Sequence, residues 1–323
     1  MKAAIITAPG RTPVYGDFQE PAATEGTDVI TVSAAALSQF SKSRSSGSHY
    51  SSEGLFPSVA GADGVGRTAE GRRVYFVLPE APFGALGEKS LVHPGRCVEV
   101  PDAVDDITAA AIANPGMSSW AALIERARLQ PGETVLINGA TGTAGRLAVQ
   151  IAKHLGAGRV IATGRNADEL RALAAFGAEA IPFALDSAHP LGAEQYEEAL
   201  IAEFSHGIDV VVDYLWGQSA KMIISAIAKS VEDAHPVRFV HVGGASREDF
   251  IELPGAALRS SAIQLMGSGV KSIPFRSLLD SIGNVFAAVV PAQLQIAITI
   301  APLSSIAETW DAPAKPRVVV TIR

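Results

Sequence analysis

The chain has 323 residues, 48% of them hydrophobic and 18% charged, with a formal net charge of −7 and a single cysteine, Cys97. So apolar a chain can bury a large core and is not a disordered one, and its length suits two domains better than one. An acidic, unclustered surface argues against nucleic acid and anionic membranes as partners, and one cysteine excludes both an intrachain disulfide and a cysteine-rich zinc site.

The first third reads as β-rich. Residues 1–8 carry too short an apolar run for a signal peptide and are expected to form a first strand. Strand patterns follow at 29–36, 74–77, 90–92 and 97–100, separated by glycine and proline turns such as 82–87. The serine-rich stretch 38–52 has no clear period and is expected to be a loop, of the kind that can line a site.

From Thr134 the rhythm changes to strands alternating with helices. Strands are expected at 134–137, 159–163, 208–212, 238–242 and 262–266, and helices at 168–176 and 219–230. Leu147, Ala148, Ile151, Ala152 and Leu155 recur at helical spacing between the first two strands. Such alternation predicts a parallel sheet covered on both faces, with its ligands at the carboxyl ends of the strands. The tail is expected to hold a helix at 277–289 and strands at 295–300 and 317–322. Its most apolar stretch, 285–303, is broken by Pro291, Gln293, Gln295 and Pro302. A membrane helix needs about 20 largely unbroken apolar residues, so a cytoplasmic protein is expected.

After the 134–137 strand comes Asn138-Gly139-Ala140-Thr141-Gly142-Thr143-Ala144-Gly145, and then the helical pattern. Glycines three apart in a strand–turn–helix setting predict a dinucleotide turn. Gly139 permits the tight turn, Gly142 lets backbone approach a pyrophosphate, Gly145 lets helix and strand pack closely, and the helix N-terminus supplies N–H groups. At the end of the next strand, where an NAD site would hold an acid for the ribose 2′-hydroxyl, stand Gly164-Arg165-Asn166. An arginine there favours NADPH, through its 2′-phosphate.

These motifs, with the opening Met1-Lys2-Ala3-Ala4, the segment Gly61-Ala62-Asp63-Gly64-Val65-Gly66, the run from Asn114 through Pro115, Gly116 and Met117 to Ser118-Ser119-Trp120, and the lead-in from Pro131 to Ile137, resemble the medium-chain dehydrogenase/reductase superfamily and its zinc-free quinone-oxidoreductase branch. The resemblance covers nearly the whole chain. It implies an α/β fold: a GroES-like β-rich catalytic domain over 1–113 and 269–323, with an inserted Rossmann domain over 114–268 that binds NADP. It implies reduction of a quinone or enone by NADPH, and a homodimer paired through the sheet edge at 262–266. Other cofactor contacts carried over by position are Ser118 and Asn138 near the nicotinamide, Asp213, the backbone of Val242-Gly243, and Gly267-Ser268-Gly269. Zinc relatives place a Cys in the first loop and a His before the acid of the glycine-rich segment. Here the loop has no Cys and Ala62 replaces the His, so no metal is expected, and none of the seven histidines shows ligand spacing. Without a metal, charge developing on a reduced carbonyl oxygen needs a hydrogen-bond donor, and Tyr50, in a run resembling one that lines the family's cleft, is the candidate catalytic residue. The alternative is a non-catalytic NADPH-binding sensor or structural protein, as zeta-crystallin illustrates for this fold.

Overall fold

A computed structural model describes residues 1–47, 54–185, 188–189, 191–313 and 315–322. Tyr50 lies outside the described residues. The chain divides into two compact units, Met1–Pro115 with Ile282–Arg323, and Gly116–Ser281.

The second unit is built on a six-stranded sheet. Its strands Ala178–Pro182, Arg159–Gly164, Thr134–Asn138, Val210–Asp213, Pro236–His241 and Ala262–Gly267 lie side by side in that order, every neighbouring pair parallel. The strands read as unbroken apolar runs because both faces are covered. Val135, Leu136, Ile137, Val160, Ile161, Ala162, Val210, Val211 and Val212 are all fully buried. At roughly 1.5–3 kcal/mol for each large side chain, these runs dominate the unit's stability. Strand order reverses between Thr134–Asn138 and its neighbour Val210–Asp213, the position at which such sheets open a crevice for ligands.

Helices Thr143–His154 and Gly217–Ser230 follow the two central strands, each with its apolar residues buried. The expected helix at 168–176 is an α-helix over Ala167–Arg171 that tightens into a 3₁₀ turn, Ala172–Phe176, closed by Gly177 at φ 77°. The strand Ala178–Pro182 and the helix Gly192–Ser205 have no counterpart in the sequence reading. Nor does the helix Asp106–Ala121, whose interior Pro115 reads as a break in the sequence. The unit extends past residue 268, because Ile273 and Leu278 bury themselves with Ala121 and Met117 in a small apolar cluster.

The first unit holds a sheet with the path Ile298–Pro302, Arg317–Thr321, Asp28–Ala36, Asp63–Arg67, Arg73–Val77, Cys97–Glu99, with Lys89–Val92 also pairing Asp28–Ala36. The tail belongs here because Val319 and Val320 pair antiparallel with Ala36 and Ala35. A second sheet joins Val14–Asp17, Lys2–Ile6 and Ser58–Val59. The expected strand at 295–300 lies further on, at Ile298–Pro302, where it meets the register of Arg317–Thr321. The expectation of a loop over 38–52 is corrected for its first part, since Gln39–Ser45 is a helix. Ser38 caps it by accepting the Ser41 N–H at 2.9 Å, a signal obscured by the surrounding serines.

Candidate functional site

The glycine-rich turn separates into a buried layer and an accessible one. Gly139, Ala140 and Gly145 are buried, while residues 141–144 are partly exposed. Gly139 has φ +84°, and a Cβ on it would stand 2.9 Å from the Leu215 side chain. A Cβ on Gly145 would collide with the Gly139 carbonyl oxygen and lie 2.7 Å from Ala140 Cα. Both positions therefore require glycine for the protein's own packing. Gly142 differs. Its φ is −70°, and a Cβ there would meet nothing nearer than the Gly139 oxygen at 3.4 Å. The protein's own packing therefore leaves room for a Cβ at 142, as it does not at 139 or 145. Gly142 is also the N-cap of the helix Thr143–His154 and offers no side-chain cap. First-turn amides have no intrahelical acceptor and the macrodipole is positive at that end. This cradle fits a pyrophosphate.

The turn is clamped from two sides. The N–H groups of Gly139 and Ala140 donate to the Thr163 carbonyl at 3.1 and 3.0 Å. Ser119 Oγ donates to the Ala144 carbonyl at 3.2 Å and lies 2.8 Å from the Tyr214 hydroxyl. Ser118, expected at the cofactor, also hydrogen-bonds Tyr214, whose hydroxyl burial pushes up to about 12. Tyr214 is thus a neutral strut that ties the helix Asp106–Ala121 to the turn.

At the end of the second strand, Gly164 is buried against the Thr141 side chain. Arg165 is exposed and forms no ion pair with any described residue. Asn166 caps the next helix, its Oδ1 accepting the Asp168 and Glu169 N–H groups at 3.1 Å each, so its side chain serves the fold.

Asn138 and Asp213, expected as cofactor contacts, turn their side chains into the protein instead. Both are fully buried. They belong to a polar row that crosses the sheet where Thr163, Asn138, Asp213, His241 and Gly267 stand in register on five adjacent strands. Thr163 Oγ1 donates to Asn138 Oδ1 at 2.8 Å. Asn138 Nδ2 donates to Asp213 Oδ1 at 2.8 Å and to Ser219 Oγ at 3.0 Å. Asp213 also accepts the Leu215 and Trp216 N–H groups at 3.1 Å, and lies 2.8 Å from His241 Nδ1. Beyond the row, Val242 and Gly243 both donate N–H to the Asp213 carbonyl. Gly267 and Gly269 are exposed at the last strand end, with Ser268 N–H donating to the His241 carbonyl at 2.8 Å. His241 is the residue the sequence reading passes over, although, like Asp213 and Asn138, it is the polar residue ending a buried apolar run.

In the first unit, Ala62 is buried and donates its N–H to Ser41 Oγ at 3.3 Å. Next to it Asp63 accepts the Tyr75 hydroxyl at 2.8 Å and Ser41 Oγ at 3.5 Å. Among the described residues no group of three or more His, Cys, Asp or Glu is placed to hold a metal ion. Nor, among them, is any helix long and apolar enough to cross a membrane.

The parallel sheet, its reversal point and the glycine cradle are the features of an α/β fold of the dinucleotide-binding type. Residues 144–281 match the family model described as zinc-binding dehydrogenase. The probable NADPH-dependent quinone reductase tdiC of Emericella nidulans is 26% identical, over 96% of each chain. The polyketide synthase GfsB of Streptomyces halstedii is 31% identical over 70% of this chain, which spans only 4% of that much longer protein. The quinone oxidoreductase of Thermus thermophilus has the same fold, with a TM-score of 0.79 over the full length of both chains at 24% identity. The chain is thus similar over nearly its whole length to a protein named as an NADPH-dependent quinone reductase, and it shares its fold with a quinone oxidoreductase.

Proposed function

We propose that the chain is an NADPH-dependent reductase that delivers hydride to a quinone or an enone-type double bond without zinc. The observation that carries this reading is Arg165, an exposed cation without an ion-pair partner among the described residues, at the strand end where a 2′-hydroxyl site would hold an acid. The full-length similarity to an enzyme named as an NADPH-dependent quinone reductase supports it. In this reading the first-turn amides of 143–145 hold the pyrophosphate, Gly142 keeps their approach open, and Arg165 pairs with the 2′-phosphate. The backbone at Val242-Gly243 and Gly267-Ser268-Gly269 lines the same rim of the sheet. The bound dinucleotide supplies the hydride. Tyr50 is the candidate donor to the acceptor's oxygen, since a phenol carries an O–H that can donate a hydrogen bond. The exposed edge strand Ala262–Gly267 is the candidate seam of a homodimer.

The test follows NADPH absorbance with the purified protein across a panel of quinones and enones, with metal content measured on the same sample. Turnover of one class with no zinc bound is the expected result. Stoichiometric zinc would overturn the metal-free reading. Binding of NADPH without oxidation by any acceptor would leave a binding protein in place of an enzyme.

A further inference from the structure

The polar row ends at His241, whose environment exceeds what holding the sheet together requires. The carboxylate of Asp213 is an acceptor only, so His241 must donate through Nδ1. That fixes the tautomer and, in the neutral ring, leaves Nε2 as an acceptor. Nε2 has no partner among the described residues, and the side chain is 34% exposed. The ring is held from a second direction by Trp216, whose ring centroid lies 4.6 Å away at an interplanar angle of 47°. Trp216 holds that place with a backbone of φ 61° and ψ −156°, a costly conformation for a bulky residue, stabilised by its own N–H bonds to Asp213. A fully buried carboxylate and a strained tryptophan thus fix one imidazole, with one nitrogen unused. The imidazole stands at the carboxyl rim of the sheet. Its strand lies on the far side of the reversal point from the strand that bears Arg165.

We propose that His241 Nε2 is a contact for the nicotinamide half of the dinucleotide, accepting a hydrogen bond from a ribose hydroxyl or the carboxamide N–H₂, with Asp213 and Trp216 as its positioning residues. The sheet's two halves take the two halves of the ligand. Arg165 marks the adenosine half, so a fixed acceptor on the other half faces the nicotinamide side. The proposal rests on the cofactor reading above.

The experiment is equilibrium binding by calorimetry of two probes, NADPH and adenosine 2′,5′-bisphosphate, to the wild-type chain, His241→Ala and His241→Gln. His241→Ala is expected to weaken NADPH about five- to tenfold, the scale of one hydrogen bond, and to leave the bisphosphate unchanged. His241→Gln, which keeps an acceptor, is expected to recover part of the loss. Unchanged NADPH affinity in His241→Ala would overturn the proposal and leave the cofactor reading intact. Equal losses for both probes would also overturn it, by marking His241 as structural. A wild-type chain that binds neither probe would remove the cofactor reading and this inference together.

Discussion

Among the described residues each compact unit buries one carboxylate at an end of a strand, and the two are solved differently. Asp213 accepts from Asn138, Leu215, Trp216 and His241, donors supplied by two strands and a turn. Asp63, equally hidden, has one short bond from the Tyr75 hydroxyl and one long contact from Ser41. Arg317 is buried nearby and its field favours the Asp63 carboxylate, but burial dominates and pushes the Asp63 carboxyl above its usual range. Arg317 itself leaves Nε and Nη2 without hydrogen-bond partners among the described residues. The contrast teaches that burial alone does not decide what a carboxylate does. A full set of donors makes it an anchor, and a partial set leaves a charge the fold tolerates.

The largest expected effect breaks the anchor. Asp213→Asn puts an N–H₂ group among donors and leaves buried N–H groups without an acceptor, at about 1–3 kcal/mol for each group affected. A loss of about 3 kcal/mol is expected in chemical denaturation, on that same scale. A loss below about 1 kcal/mol, less than one such group, would mean that the row does not stabilise the sheet.

A charge with no burial lies between the two. Arg165→Glu should weaken NADPH at least about tenfold, the value of a charge-assisted pair, and affect NADH less. Equal losses for both dinucleotides would show that Arg165 does not reach the 2′-phosphate.

The smallest effect at neutral pH is expected from Asp63→Asn, within about 1 kcal/mol of wild type, because the ionised form carries a burial penalty that the amide avoids. The sign with pH follows from the direction of the shift. A carboxyl raised above its ordinary 3.8 favours the folded state when protonated. Its contribution is full below about that value and is lost as pH rises through the higher folded-state value. The stability of wild type relative to Asp63→Asn should therefore increase on acidification. A difference that decreases would mean that the field of Arg317 outweighs burial.

Much of the second unit is legible in the sequence because its two strongest signals are local. Apolar runs four or five residues long mark the strands, and glycines three apart mark the turn. What escapes depends on direction and on neighbours. Sequence places Asn138 and Asp213 at strand ends, but position along a strand does not say that a side chain points into a row of partners. His241 escapes because ligand spacing tests a histidine only as a metal ligand, whereas its meaning comes from standing opposite Asp213 in a parallel register. Pro115 conceals a helix, and the serines after Leu37 conceal another, since a capping serine looks like its neighbours until the Ser41 amide is seen to bond it. The candidate donor Tyr50 has no structural reading, as it lies outside the described residues.

The polar row bears on how the chain finds its fold. Runs such as Val210-Val211-Val212 are apolar on both sides, so sliding one strand past its neighbour would leave burial nearly unchanged, and apolar pattern gives little protection against misalignment. Thr163, Asn138, Asp213 and His241 remove that degeneracy. Any slip separates at least one hydrogen-bonded pair and leaves an amide or a carboxylate buried alone, at a cost of kcal/mol that hydrophobic contacts elsewhere cannot return. The row acts as an alignment key for the four strands that carry it, admitting a single mutual register.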